Sequence, residues 1–305
     1  MKKSFADFIP QNKSFIWLII LIITLLWGYA WVLMKSALLY MGPFTFSAFR
    51  FGTGAITLLF VVLILKIGLP PKQYWKHLIV VGILQTSIVF LFVMYGLEFV
   101  GAGKASVLLY SMPMWSSMLA ARFLGEKLTP SKFTGLLIGM VGLLTILGWD
   151  IWAGQSFEMI FGEILIIIAA VSWGIANVYY RLHVQDLPKI QASGFQMLFG
   201  TIGIIIATLF MEWGEPVVLN AHSIYYILFT GVFASALCFT VWFVVISLID
   251  MVTATIATLL VPIFGLVFSS LLLDEKMTMS ILIGSGLIII GIIIAQVKVK
   301  RPRPD

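Results

Sequence analysis

Ten stretches of mostly apolar residues, separated by short polar connectors, run along this chain at 15–37, 43–65, 75–97, 102–122, 131–149, 162–182, 189–211, 222–247, 252–272 and 279–297. About 20 apolar residues are what a helix needs to cross the hydrocarbon core of a bilayer. In lipid the backbone polar groups must be satisfied within the segment or in a closed barrel. Barrel strands alternate polar and apolar residues over about ten positions, and these runs do not alternate. The expected fold class is therefore all-α integral membrane, with ten transmembrane helices. Composition agrees: of 305 residues 61% are hydrophobic and only 10% charged, with mean hydropathy +1.09, whereas soluble domains carry about 25% charged residues. The first run is too long for a signal-peptide core and lacks a small-residue cleavage pattern, so it counts as a helix.

Several function classes find no support in the residues. The single cysteine, Cys238, lies inside the eighth segment, which excludes an intrachain disulfide and suits a small apolar filler. His77, His183 and His222 sit singly near different segment ends with no paired spacing for a metal. No Walker-type phosphate loop occurs, and no cofactor or metal is expected. No His/Glu, Cys or Ser constellation supports a membrane-embedded enzyme. Prolines and glycines are spread through the segments, so no linker and no soluble domain is expected.

The net charge of +6 belongs to the membrane surface rather than to nucleic acid. With the N-terminus placed in the cytoplasm, 15 of the 19 Lys and Arg fall on the inner side, among them Lys2, Lys3, Lys66, Lys127, Arg181, Lys298 and Arg303. Three, Lys35, Lys104 and Lys276, fall outside, and Arg50 lies within a helix. The positive-inside bias of short loops thus predicts a multi-pass plasma-membrane protein with both termini cytoplasmic.

The chain also repeats itself. LGEKLT at 124–129 returns as LDEKMT at 273–278, an offset of 149. At the same offset Gly82 meets Gly231, Pro113 meets Pro262, Ser131 meets Ser280, Gly135 meets Gly284 and Gly142 meets Gly291. At an offset of 146, Trp27-Gly28 meets Trp173-Gly174, Ala30 meets Ala176, Ser47 meets Ser193, and Arg50 meets Gln196. Each copy holds five segments, an odd number, so the second copy must enter the membrane from the opposite side. Such inverted repeats build many secondary transporters, with the substrate near the midplane between the halves. The predicted units are 15–149 and 162–297. The hexapeptide itself reads as a turn, with Thr129 capping the next helix ahead of Pro130.

The Trp-Gly start of each copy, the proline of the fourth helix, the (G/D)-E-K-x-T turn and the glycine-bearing fifth helix together resemble EamA-type transporters of the drug/metabolite transporter superfamily. The resemblance covers 15–297. It implies ten helices, cytoplasmic termini, and a central cavity lined mainly by the first four helices of each repeat. The fifth helices are implied to lie at the periphery. It further implies export of amino acids or related small metabolites by alternating access. Relatives in the superfamily carry sugar-nucleotides, phosphorylated sugars or cationic drugs, so efflux of lipophilic cations is the alternative.

Among candidate residues Arg50 is the most informative. A charge at the centre of a membrane helix costs about 2.5–3.5 kcal/mol on insertion scales and marks a functional site by default. Its guanidinium suits a carboxylate or phosphate held by paired hydrogen bonds; the alternative is snorkelling to the outer interface. Its repeat partner Gln196 is neutral, so the cavity is expected to be asymmetric in charge. Trp31 and Asn177 lie four residues beyond Trp27 and Trp173, on one helix face, and are assigned to the cavity walls, where an aromatic face can hold an ammonium. Trp27 and Trp173, next to glycines, are assigned to packing. Gln85, Tyr110, Trp115, Tyr180 and Trp242 are further polar or aromatic cavity candidates at membrane depth. Pro113 and Pro262, read as mid-helix, are candidate gating kinks. Glu98 and Glu163 lie near outer helix ends, and Glu163 is the possible proton-coupling acid. Gly135, Gly139 and Gly142 predict tight helix packing, within the bundle or between protomers of a homodimer.

Overall fold

A computed structural model describes residues 13–152, 156–250, 253–254 and 257–296. The basic residues at 2, 3, 298, 300, 301 and 303 lie outside them, as do position 297 of the tenth segment and positions 252, 255 and 256 of the ninth. The described residues form helices only. We label them α1 (Lys13–Ala37), α2 (Pro43–Ile64), α3 (Lys72–Phe99), α4a (Ala102–Leu109), α4b (Met112–Phe123), α5 (Pro130–Trp152), α6 (Phe157–His183), α7 (Lys189–Met211), α8 (Ala221–Leu248), α9 (Leu260–Leu272) and α10 (Met279–Gln296). Six of these, α1, α2, α3, α6, α7 and α8, are each long and apolar enough to cross a membrane. Shorter apolar helical stretches lie at Pro130–Thr145, Leu260–Leu272 and Leu282–Gly291.

Local sequence explains where helices start. Pro43 opens α2 after an extended Gly42, where its missing N–H costs nothing. Asn220 and Ser223 cap each other's backbone at the start of α8. The Thr129 hydroxyl accepts from the Lys132 N–H just ahead of α5, at 3.4 Å.

The structure corrects one expectation. The segment at 102–122 is not a single kinked helix, because the chain turns at Tyr110–Ser111. Pro113 therefore stands in the first turn of α4b rather than mid-helix. Its equivalent Pro262 likewise falls in the first turn of α9, after a turn at Thr258–Leu259. A proline lacks the N–H that would continue the preceding helix, and it is tolerated where that N–H has no partner anyway.

A second irregularity also recurs at the offset of 149. Within α3 the stretch Gly82–Ile88 is π-helical, and within α8 so is Phe229–Leu237. Such widened turns displace carbonyls from the regular ladder and frequently mark functional sites.

Packing joins the two parts of the chain. The main partnerships are α5 with α10, α2 with α7, α1 with α9, α6 with α3 and α4b, and the π segments of α3 and α8 with α7 and α2. Glycines make the close approaches possible. A Cβ at Gly82 would stand 2.3 Å from the Gln196 carbonyl oxygen, and its sequence partner Gly231 would meet the Arg50 carbonyl oxygen at 2.8 Å. Gly28 and Gly174 admit Phe264 and Trp115 in the same paired way. Gly142 and Gly291 bring α5 against α10: a Cβ at either would meet the Gly284 or the Gly135 carbonyl oxygen, at 2.6 and 2.5 Å respectively. The glycines of α5 thus serve packing inside the chain.

Charged contacts tie the bundle at both ends. At the end carrying Lys35, Glu212 accepts from the Phe44 and Thr45 N–H groups, both at 2.7 Å, and from the Thr45 hydroxyl. Glu275 accepts from the Ala102 and Gly103 N–H groups at 2.8 and 3.0 Å. Both carboxylates complement the positive ends of helix dipoles. Lys104 pairs with Glu163 at 2.5 Å, and Lys35 donates to the Leu97 and Val100 carbonyls closing α3. At the opposite end Arg181 pairs with Glu126 at 2.7 Å and Lys132 with Asp250 at 2.5 Å. The two copies of the repeated hexapeptide are therefore more than turns. Each sends its glutamate across to a helix of the other half.

The close approach at Gly82 can be checked by substitution. Gly82→Val should lower the melting temperature of the purified protein by an overpacking cost of about 1–3 kcal/mol. Gly286→Ala, where a Cβ meets nothing within 4 Å, should leave it unchanged. Burial raises the Asp250 pKa, but hydrogen bonds from Lys132 and Thr253 outweigh it and hold the carboxyl below its ordinary value. A depressed carboxyl contributes stability that is complete above the ordinary carboxylate range and is lost as pH falls through the depressed value. Melting curves between pH 7 and 3 should thus show an acid limb that Asp250→Asn flattens.

Candidate functional site

The centre of the bundle is aromatic. Trp27 of α1 lies 6.0 Å, edge to face, from Trp173 of α6 and from Phe239 of α8, and Trp173 stacks on Phe239 at 6.0 Å. Phe51, Phe90 and Trp242 extend the cluster. Beside it lies a cavity of about 20 Å³, room for one water by volume. Trp27, Trp31 and Met34 of α1, Arg50 of α2, Phe90 of α3, Tyr110 at the α4 break and Trp173 of α6 form its walls. Ligand sites usually offer roughly 300–1,000 Å³, so this conformation is closed around its centre.

Arg50 dominates the cavity. Its side chain is buried, at 2% exposure, which rules out snorkelling in this conformation. Nε donates to the Ser235 hydroxyl at 2.9 Å, and one terminal nitrogen contacts the Met34 sulfur at 2.9 Å. The guanidinium carbon lies 4.5 Å from the Phe90 ring centre and 4.8 Å from that of Phe51. Among the described residues no carboxylate pairs with it. A guanidinium offers five N–H donors, and here one hydroxyl and one weakly accepting thioether answer them. Cation–π contacts of up to about 2 kcal/mol each when desolvated compensate only part of a desolvation penalty of several kcal/mol. Among the described residues the site holds a positive charge with no protein anion against it.

The arrangement has a neutral counterpart. Gln196 of α7, the sequence partner of Arg50, accepts from the Thr86 hydroxyl at 2.9 Å. Thr86 stands 149 residues before Ser235, and both sit in the π segments. The Arg50–Ser235 and Gln196–Thr86 pairs are thus the same contact made twice, once with a cation and once with an amide.

The other sequence candidates fall in neighbouring positions. Tyr110 and Trp31 line the cavity with Arg50. Asn177, Trp242 and Ser116 form a separate buried node, in which the Trp242 indole donates to Asn177 at 3.1 Å and the Asn177 amide contacts Ser116 and the Met112 sulfur. Tyr180 stacks on Phe243 at 3.8 Å. Gln85, Trp115, Asn177, Tyr180, Gln196 and Trp242 do not line this cavity. Buried polar atoms without a hydrogen-bond partner among the described residues include both amide atoms of Gln85, Nε2 of Gln196, the Trp115 and Trp173 indole nitrogens and the Tyr180 hydroxyl. Native cores leave few such groups; of the residues named here, Trp173 lines the cavity.

Pro113 and Pro262 both line a second small cavity between α4a, α4b, α5, α9 and α10. Glu163 is engaged by Lys104. His77 and His183, far apart in sequence, stack at 4.6 Å beside Tyr179; no group of three or more metal-ligating side chains occurs among the described residues. Sequence reasoning missed Trp27, Trp173, Phe90 and Met34 as wall residues. The adjacent glycines suggested packing for the two tryptophans, and these side chains do both. Phe90 and Met34 gave no signal, because apolar residues at membrane depth resemble every lipid-facing neighbour.

Comparison with known proteins agrees with this architecture. The model of the EamA-like transporter family matches twice, over residues 14–148 and 160–296. The uncharacterized transporter YoaV of Bacillus subtilis (strain 168) is 32% identical over 274 residues, 90% of this chain and 94% of its own. A probable amino-acid metabolite efflux pump of Escherichia coli (strain K12) is 24% identical over 282 residues, 90% of this chain and 92% of its own. One solved crystal structure superposes with a TM-score of 0.73 at 21% identity, over 93% of this chain and 97% of that one; that likeness concerns the fold alone. The chain is a multi-pass membrane protein that belongs to the EamA-like transporter family.

Proposed function

We propose that this chain is a secondary carrier that exports amino acids or related carboxylate-bearing metabolites across the plasma membrane by alternating access. The observation that carries the reading is Arg50, a buried guanidinium with no anion among the described residues against it, in a cavity walled by aromatic residues of both halves. A cargo carboxylate supplies the missing counter-charge, and the indole and phenyl faces take an apolar side chain or an ammonium. The similar efflux pump of Escherichia coli is consistent with that cargo class. The aromatic cluster would also suit a lipophilic cation, but the Arg50 charge beside it repels one.

The two units 15–149 and 162–297 are the inverted halves, contributing five transmembrane helices each, with both termini cytoplasmic. Contacts repeated at the offsets of 146 and 149 support this. So do the two sets of end ties, with Glu275 and Glu212 on the outer face and Glu126–Arg181 on the inner. Export then alternates between loosening one set and loosening the other, while the breaks beside Pro113 and Pro262 let α4 and α9 bend. Coupling to protons through Glu163 requires its pair with Lys104 to open in the cycle.

Counterflow of radiolabelled amino acids in proteoliposomes tests the reading. Trans-stimulation by an amino acid is expected, and Arg50→Gln at matched insertion should reduce it about 10- to 100-fold, the value of a lost charge-assisted pair. Unchanged flux in Arg50→Gln, or ethidium flux with no trans-stimulation by any amino acid, contradicts it. The topology is tested by Glu158→Cys, which should react with an impermeant maleimide from outside only; labelling confined to the cytoplasmic side contradicts the assigned orientation.

A further inference from the structure

The contact that holds Arg50 is made a second time without a charge, and the surroundings of the two contacts correspond as well. At the offset of 146, Met34 beside Arg50 becomes Tyr180, Trp31 becomes Asn177, and Arg50 itself becomes Gln196; at 149, Phe90 becomes Phe239 and Ser235 becomes Thr86. The polar image of the Arg50 pocket is therefore two amides and one phenol, beside Phe239 and Trp173; none of the three polar residues lines the closed cavity around Arg50. All three of Gln196, Asn177 and Tyr180 are essentially fully buried. Gln196 uses only its oxygen, toward Thr86, while its Nε2 has no acceptor, and the Tyr180 hydroxyl has no partner among the described residues. The Asn177 amide nitrogen reaches only long contacts to a hydroxyl and a thioether, at 3.5 and 3.4 Å. Such a set can donate to and accept from an uncharged group, but it holds no cation. Among the described residues the other buried charged side chains are Glu163 and Glu212, both at the bundle end and both engaged.

We infer that the binding site has two unequal poles. Arg50 receives one carboxylate, and the Gln196–Asn177–Tyr180 pole receives a neutral hydrogen-bonding or apolar group. The protein therefore selects cargo by charge, accepting a single carboxylate and rejecting a second one at the far end. Gln196 sets this selectivity, as the position that carries the cation in the other half. The inference rests on the carboxylate-binding role proposed for Arg50. It adds a statement about the opposite side of the site: a second ionised carboxylate there would meet neutral donors but no cation to offset its desolvation.

Near-isosteric ligands separate the two claims. Binding to the purified full-length protein can be read from the fluorescence of the central tryptophans, at pH 7, for L-methionine against L-methioninol and for L-glutamine against L-glutamate. Methioninol, lacking the carboxylate, is expected to bind about 10-fold or more weakly than methionine, and glutamate about 10-fold or more weakly than glutamine. In Gln196→Arg, or in Gln196→Lys if the former does not fold, glutamate should gain at least about 10-fold relative to glutamine. If methioninol is weak but glutamate binds as well as glutamine, the neutral pole is wrong while the Arg50 role stands. If methionine binds no better than methioninol, or neither carboxylate binds, the Arg50 role fails and this inference with it. A folded Gln196 variant that brings glutamate no gain removes position 196 from charge selection.

Discussion

A single buried charge organises the centre of this protein. Arg50 is buried, held by one hydroxyl, one sulfur and two aromatic faces. Burying a charge with no partner is among the most costly arrangements a fold can sustain. It persists here because α2 is fixed from both sides. Its N-terminus is clasped by Glu212, and glycine contacts seat it against α8 near Arg50 itself. On the proposed function, this fixed placement makes the missing anion a requirement placed on the cargo.

The scaffold achieves this by doing the same thing twice. The π segments, the breaks ahead of Pro113 and Pro262 and the glycine approaches all recur at fixed offsets. What differs is chemistry at a few positions: Arg50 against Gln196, Met34 against Tyr180, Trp31 against Asn177. In the proposed cycle, equivalent backbones with unequal side chains let the two halves exchange shapes while the site between them keeps a direction. The repeated glutamates belong to the same logic. Glu126 and Glu275 occupy matching turns, yet one meets a guanidinium and the other the positive end of a helix.

Much of this was legible in the sequence, and the reasons are physical. Apolar runs of fixed length admit few folds in lipid, and Arg50 stood out because charges at that depth are rare. Tyr110 and Trp31 reached the cavity as their depth and helix face suggested. Gln85 and Trp115 did not, because their facing depends on how far a π turn or a helix break rotates the helical turns beyond it, and neither irregularity has a sequence signature. The stack of His77 on His183 was not legible because the two lie on different helices, far apart in sequence. The turns of the repeated hexapeptide were legible as turns, while their glutamates' partners were not, since contact across halves depends on how the halves dock.

The central claim is that the carboxylate of the cargo becomes the counter-ion of Arg50. It is tested most directly by a solid-state NMR dipolar measurement between guanidinium ¹⁵N and the carboxyl ¹³C of a bound, labelled amino acid in membranes. A dipolar contact within about 4 Å, the reach of a direct charge-assisted pair, that disappears in Arg50→Gln is the expected result. A bound amino acid whose carboxyl shows no such contact, or one that survives in Arg50→Gln, would contradict the account.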